Sequence, residues 1–194
     1  ANEMPDLFTT HGWSVKRYAD YLEPVNDQPF LSRITAQMKS VISDADGKVY
    51  VLPIDADIAG IVYNVDVLDK AGVDVDSLTT WDKFTQALKK IKASGVDPIH
   101  MGGKDVWTVG QFGDWVAPSY FVTDEAANQR EALTAGKFDA ATWEKVAGLM
   151  QDWVKGGYFN KDALTADYNS DAAAIANGKA AFGFYGNWFA VDAL

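Results

Sequence analysis

Short β-rich runs alternate with amphipathic helical segments along the whole chain, and this alternation restricts the fold more than any other feature. It specifies an α/β architecture with mostly parallel strand pairing. Residues 4–8 (MPDLF) read as the end of a strand. Val15, Tyr18, Ala19 and Leu22 then recur at helical spacing, and Pro24 stops the run. Residues 30–42 read as one amphipathic helix, with Leu31, Ile34, Met38 and Val41 or Ile42 on its face. A turn at Asp44-Ala45-Asp46-Gly47 leads into a β-rich run over 49–54, and a second covers 58–65. Helices are predicted over 66–71, closed by Gly72, and from Thr80 as cap through Trp81, Phe84, Leu88 and Ile91 to Gly95. A short strand over 98–101 precedes a segment, 107–121, that begins as helix. Residues 124–139 are polar and alanine-rich, with weak order. The clearest helix spans 142–154, with Trp143, Val146, Ala147, Met150 and Val154 as its core stripe. Ser170 or Asp171 caps a small helix to Asn177, Gly178 stops it, and residues 180–185 form a strand.

Composition narrows the chemistry. The chain has 194 residues and is 48% hydrophobic, enough for a proper core. Its formal net charge of −10 argues against a nucleic acid or an anionic membrane face as partner. Without Cys, thiolate metal sites and Cys nucleophiles are excluded. No apolar stretch approaches the ~20 residues of a spanning helix. His11 and His100 are far apart in sequence without a Ser or Cys partner, so a catalytic triad is unsupported, and His100 reads as a satisfied core residue. Asp44-Ala45-Asp46-Gly47 lacks the ligand spacing of a calcium loop. Gly102-Gly103-Lys104 lacks the first glycine and the Ser/Thr of a phosphate loop. No cofactor is implied.

Open α/β sheets bind ligands beyond the carboxyl ends of their strands. Four predicted strand ends carry polar and aromatic clusters: His11-Gly12-Trp13-Ser14, Asp55-Ala56-Asp57, Lys104-Asp105-Val106-Trp107 and Tyr185-Gly186-Asn187-Trp188. A sugar needs carboxylates and amides in the plane of its hydroxyls and an aromatic ring against its C–H face. Asp55, Asp57, Asp105 and Asn187 offer the first; Trp13, Trp107 and Trp188 offer the second. A glycosidase needs carboxylates on opposite sides of the scissile bond, which two aspartates on one strand do not provide. Other readings remain: structural turn or cap roles for Asp55 and Asp57, a glycan-capture module without transport, or a receptor for a cationic or peptidic solute.

Pro5-Asp6-Leu7-Phe8 before Gly12-Trp13, Tyr50-Val51-Leu52-Pro53-Ile54 before Ile61-Val62-Tyr63-Asn64, and Gly178-Lys179-Ala180-Ala181-Phe182 before Gly186-Asn187-Trp188 occur in order along the chain. In this the chain resembles the family 1 extracellular solute-binding proteins, the maltose-binding-protein-like carbohydrate receptors of ABC importers. The resemblance implies a periplasmic-binding-protein-like fold of type II, with two α/β lobes joined by a hinge. Residues 1–56 would be part of the first lobe, and 57–194 most of the second. Members run to roughly twice this length, a size at which chains split into domains, so the chain is expected to be a central fragment. The resemblance also implies a monomeric, non-enzymatic receptor that closes on a sugar and docks on membrane permease subunits. Its place would be outside the cell, as a surface lipoprotein or free in a periplasm. By position, the implied ligand contacts are His11, Trp13, Ser14, Asp55, Asp57, Lys104, Asp105, Trp107, Asn187 and Trp188.

Overall fold

The computed structural model describes residues 5–124 and 128–193. The chain divides into two compact units, Ala1–Ala56 and Asp57–Leu194.

The first unit is made of short helical pieces. A 3-10 turn over Gly12–Ser14 runs into α1, Val15–Tyr18, and a second 3-10 turn follows at Ala19–Tyr21. The single helix expected over 30–42 is two: a 3-10 segment, Pro29–Arg33, and α2, Ala36–Ile42. Thr35 causes the break. Its hydroxyl accepts from the Met38 N–H at 3.2 Å, which makes it an N-cap and keeps Ile34 and Thr35 extended. Asp44 organises the predicted turn, its Oδ1 accepting from the N–H groups of Asp46 and Lys48. The two strands expected in this unit do not form. Met4 lies outside the described residues, and residues 5–8 are irregular. Over 49–54 the pairing stops at one bridge, Ser43 to Val49. Pro53 has no N–H to give a ladder, and Leu52 and Ile54 face solvent.

The second unit is built on a sheet ordered β1-β3-β2, with β1 at Ala59–Tyr63, β2 at Asp97–Ile99 and β3 at Ala180–Gly186. The pairing is mixed, not mostly parallel: β3 runs antiparallel to β1 and parallel to β2. As the central strand β3 is buried along its length, which is why AAFGFYG reads as a continuous apolar run. Helix α3, Val65–Lys70, is capped by the Asn64 side chain, and α4, Trp81–Ala93, by Thr80. Helix α5, Trp107–Val116, continues into α6, Pro118–Phe121, and the polar stretch after it holds α7, Arg130–Thr134. Helix α8, Ala140–Gly156, ends at left-handed Gly157. Helix α9, Tyr168–Ala176, is capped by Asp167, not by Ser170 or Asp171, and α10 covers Phe189–Ala193.

The core gathers Leu88, Ile91, Ile99, Phe112, Trp153 and Phe182. Here α8 departs from its expected stripe. Val146 is buried as expected, but Val154 is exposed, and Trp143 lines an apolar groove of about 600 Å³ with Phe121 and Phe138. The deep residue is Trp153. Its ring meets Phe84 at 5.4 Å and Phe112 at 5.7 Å, and its indole N–H donates to Thr85 Oγ1 at 2.9 Å. A buried indole needs such an acceptor.

Truncating Trp153 to Ala should therefore cost about 3–5 kcal/mol in urea unfolding. Val154→Ala, one residue on and exposed, should stay within about 0.5 kcal/mol of the parent.

Candidate functional site

In the second unit the carboxyl ends of β2 and β3 lie side by side, because these two strands are parallel neighbours. Residues 100–105 leave β2, and Trp107 opens α5 directly afterwards. Tyr185 and Gly186 close β3, followed by Asn187 and Trp188. A buried carboxylate ties these ends together. Asp171, on α9, is 0% exposed. Its Oδ1 lies 2.5 Å from His100 Nδ1, and its Oδ2 accepts from the Gly102 N–H at 2.8 Å and from the Tyr185 hydroxyl. Burial pushes the Asp171 carboxyl up from its ordinary value, while the hydrogen bond and charge of His100 pull the other way. The outgoing loop is pinned further. Gly103 N–H donates to Ala163 O at 2.7 Å, Lys104 N–H to Ala166 O at 3.0 Å, and Asp105 Oδ2 accepts from the Tyr168 N–H at 2.8 Å.

Over this frame stands a wall of rings. Trp107 lies 5.1 Å from Tyr168 and 6.1 Å from Tyr185, and Tyr185 stacks on Phe189 at 4.6 Å and 10°. The Tyr168 hydroxyl donates to Asp192 Oδ2 at 2.6 Å, and burial, then Asp192, pushes its pKa up. Trp115, two turns along α5 from Trp107, donates its indole N–H to Tyr185 O at 2.5 Å and meets the edge of Trp188 at 6.5 Å. A Cβ on Gly186 would overlap the Trp188 ring, so that glycine lets the indole fold over the strand end. Trp107 keeps 44% of its surface exposed. The residue before it, Val106, has φ 59° and ψ −51°. A β-branched side chain rarely takes positive φ, and such strain collects where a neighbour must be held in a set position.

The structure thus brings together Lys104, Asp105, Trp107, Asn187 and Trp188 among the residues expected from sequence. Their roles differ. Asp105 accepts from the first N–H of α9, that of Tyr168, and Lys104 is exposed, 3.7 Å from Asp167. Asn187 is exposed, yet its Oδ1 already accepts from the Ile58 N–H at 2.7 Å, which anchors the chain ahead of β1. Asp57 is exposed near that same start. His11, Trp13, Ser14 and Asp55 belong to the first unit. There Trp13, 76% exposed, stacks on His11 at 4.1 Å and 6°, and the Ser14 N–H donates to His11 O. Asp55 and Asp57 do not share a strand, contrary to expectation: Asp55 lies at the end of the first unit and β1 begins only at Ala59. Sequence reasoning missed Tyr168, Trp115, Phe189 and Asp171. Asp171 alone carried a signal, being a lone acid in an otherwise alanine-rich helix. Among the described residues, no cluster of His and acid side chains is placed to hold a metal ion.

The second unit is thus a mixed α/β scaffold with an exposed indole and hydrogen-bonding groups beyond adjacent strand ends, where open α/β sheets take ligands. The sequence model for bacterial extracellular solute-binding proteins matches residues 3–194, and the chain belongs to that family. It is 30% identical over 195 residues to the melibiose/raffinose/stachyose-binding protein MelE of Bacillus subtilis, covering 99% of this chain and 45% of the relative. It is 29% identical to the multiple sugar-binding protein of Streptococcus mutans over 73% of this chain and 34% of that protein. Among solved structures, a sugar transporter protein of Bacillus licheniformis in complex with stachyose superposes with a TM-score of 0.83 at 33% identity, covering 93% of this chain and 47% of that one. The fold is therefore periplasmic-binding-protein-like, and the chain spans about half the length of the curated relatives it matches. Among the described residues no helix is long and apolar enough to cross a membrane.

Two outcomes follow from this geometry. Val106→Gly removes the strain at an exposed position and should raise stability by roughly 1 kcal/mol in chemical denaturation. Asp167, the α9 cap, accepts from the side chain and N–H of Ser170, which hold its carboxyl below the ordinary 3.8. The folded state thus binds that proton less readily than the unfolded chain. The contribution of Asp167 is complete above pH 3.8 and is lost as pH falls through the lower folded value. Asn caps equally well without titrating. Unfolding midpoints of Asp167→Asn should consequently fall less steeply than those of the parent between about pH 5 and pH 2.

Proposed function

We propose that this chain is the sugar-recognising part of the substrate-binding component of an ABC importer. The observation that carries this is the ring wall at the strand ends, with Trp107 exposed beside Tyr168 and Tyr185. An exposed indole held by a strained backbone and backed by packed rings is a rigid platform for the C–H face of a pyranose. Lys104, the free part of Asn187, and Asp57 supply donors and acceptors for its hydroxyls. Trp188, folded over Gly186, forms the far end of the wall. On the first unit, the stacked pair His11 and Trp13, with Ser14 and Asp55, are the further candidate contacts. The names of the relatives support an α-galactoside such as raffinose or stachyose as ligand class.

No catalytic step is proposed, and the relatives from Bacillus subtilis and Streptococcus mutans are named as binding proteins. The ligand acts by population: it favours whichever conformation binds it more tightly, and membrane permease subunits read that conformation. The receptor works as a monomer outside the cytoplasmic membrane, tethered by lipid or free in a periplasm; the family description supports the extracellular placement.

The test is calorimetry of the full-length gene product with raffinose and stachyose. Trp107→Ala should weaken binding by more than about tenfold, a loss of roughly 1.4 kcal/mol. The same variant binding as tightly as the parent would remove the platform from the site.

A further inference from the structure

Helix α5 carries Trp107, Gln111 and Trp115 at four-residue spacing, so the three side chains follow one another along one face. Both flanking indoles face the end of β3: Trp107 meets the Tyr185 ring, and Trp115 donates to the Tyr185 carbonyl. Gln111 therefore lies on the same face of α5, one turn from each of the two tryptophans. It is a half-buried residue whose Oε1 is shielded from solvent and has no hydrogen-bond donor among the described residues. Neighbouring polar groups of the wall do have partners: the Trp115 N–H, the Tyr185 hydroxyl, the Tyr168 hydroxyl and Asp105 are all paired.

A buried acceptor without a donor costs stability, and native proteins keep few of them. A well-packed apolar residue would serve this helix face better if packing were the only demand. The cost is consistent with a side chain set aside for a donor that comes from outside. The terminal torsion of Gln is a broad rotor, so its oxygen can turn toward a group lying on the wall at little expense. A ring hydroxyl of a pyranose resting against Trp107 is such a donor.

We infer that Gln111 is a specificity-determining residue that accepts a hydrogen bond from one hydroxyl of the bound sugar. This rests on the sugar-binding reading of the wall. Such an acceptor discriminates strongly, because a ligand without that hydroxyl leaves it unpaired in a site now closed to water. The ligands favoured are intact polyhydroxylated rings, and deoxy sugars at the position read by Gln111 are rejected.

The experiment compares the full-length gene product with Gln111→Met, which keeps length and helix propensity but removes the acceptor. Calorimetry is run with melibiose, raffinose, stachyose and a series of monodeoxy melibiosides, and urea midpoints are measured without sugar. Gln111→Met should bind the intact sugars at least tenfold more weakly while its urea midpoint is equal to or above that of the parent. One deoxy sugar should lose affinity for the parent and lose nothing further for Gln111→Met, the signature of a direct pair in a double-mutant cycle. Unchanged affinity in Gln111→Met overturns the assignment, as does a lowered urea midpoint, since the oxygen would then be stabilising the unliganded fold. If the parent itself binds none of the sugars, the sugar reading of the whole wall fails. If the parent binds and the variant binds equally, only the role of Gln111 fails.

Discussion

One buried carboxylate holds the site end of the second unit together. Asp171 reaches from α9 under the ends of both parallel strands, and each oxygen is committed: one to His100, the other to the Gly102 N–H and the Tyr185 hydroxyl. Removing it would leave those donors buried without an acceptor, at roughly 1–3 kcal/mol for each group. It joins three separate stretches of chain at the place where strands give way to loops. That is the place where a backbone loses its ladder partners and needs others. Burial makes the charged form costly, and the converging donors offset that cost, so the carboxylate holds position only as part of the full network.

The ring wall inherits its rigidity from this frame. Tyr185 is fixed at its hydroxyl by Asp171, at its carbonyl by Trp115 and across its face by Phe189. Trp107 starts a helix of ten residues instead of sitting on a free loop. Aromatic platforms work through shape and lose little entropy on binding when their rotamers are already set. A platform of this kind fits the sugar ligand proposed above, held by its face and by directional hydroxyl contacts. The net charge of −10 argues against a polyanion in its place.

The family places the fold and its general trade. Trp107, exposed beside the buried Tyr185, stands beyond the strand ends, where open α/β sheets take ligands.

The sequence by itself determined the local punctuation. Thr80 caps α4, and Gly95, Gly157 and Gly178 take the left-handed conformations that follow helices α4, α8 and α9. These caps and stops depend on a few neighbouring residues, which made them legible in a linear reading, although Thr35 and Asp167 cap α2 and α9 where the sequence pointed elsewhere. The clusters at the ends of β2 and β3 were legible for the same reason: a polar or aromatic run beyond an apolar strand stands out. Only the tertiary structure decided pairing direction, the inner face of α8, and which acid matters. A strand of residues 180–186 is equally apolar whether its neighbours run with it or against it. On α8, two stripes one residue apart are both apolar at helical spacing, and the Thr85 hydroxyl, 68 positions away, settles the choice by accepting from Trp153. Asp171 looked like a helix cap because capping is the common local use of an acid. Its actual partners lie 71, 69 and 14 residues distant, and no local pattern encodes a bond across such separations.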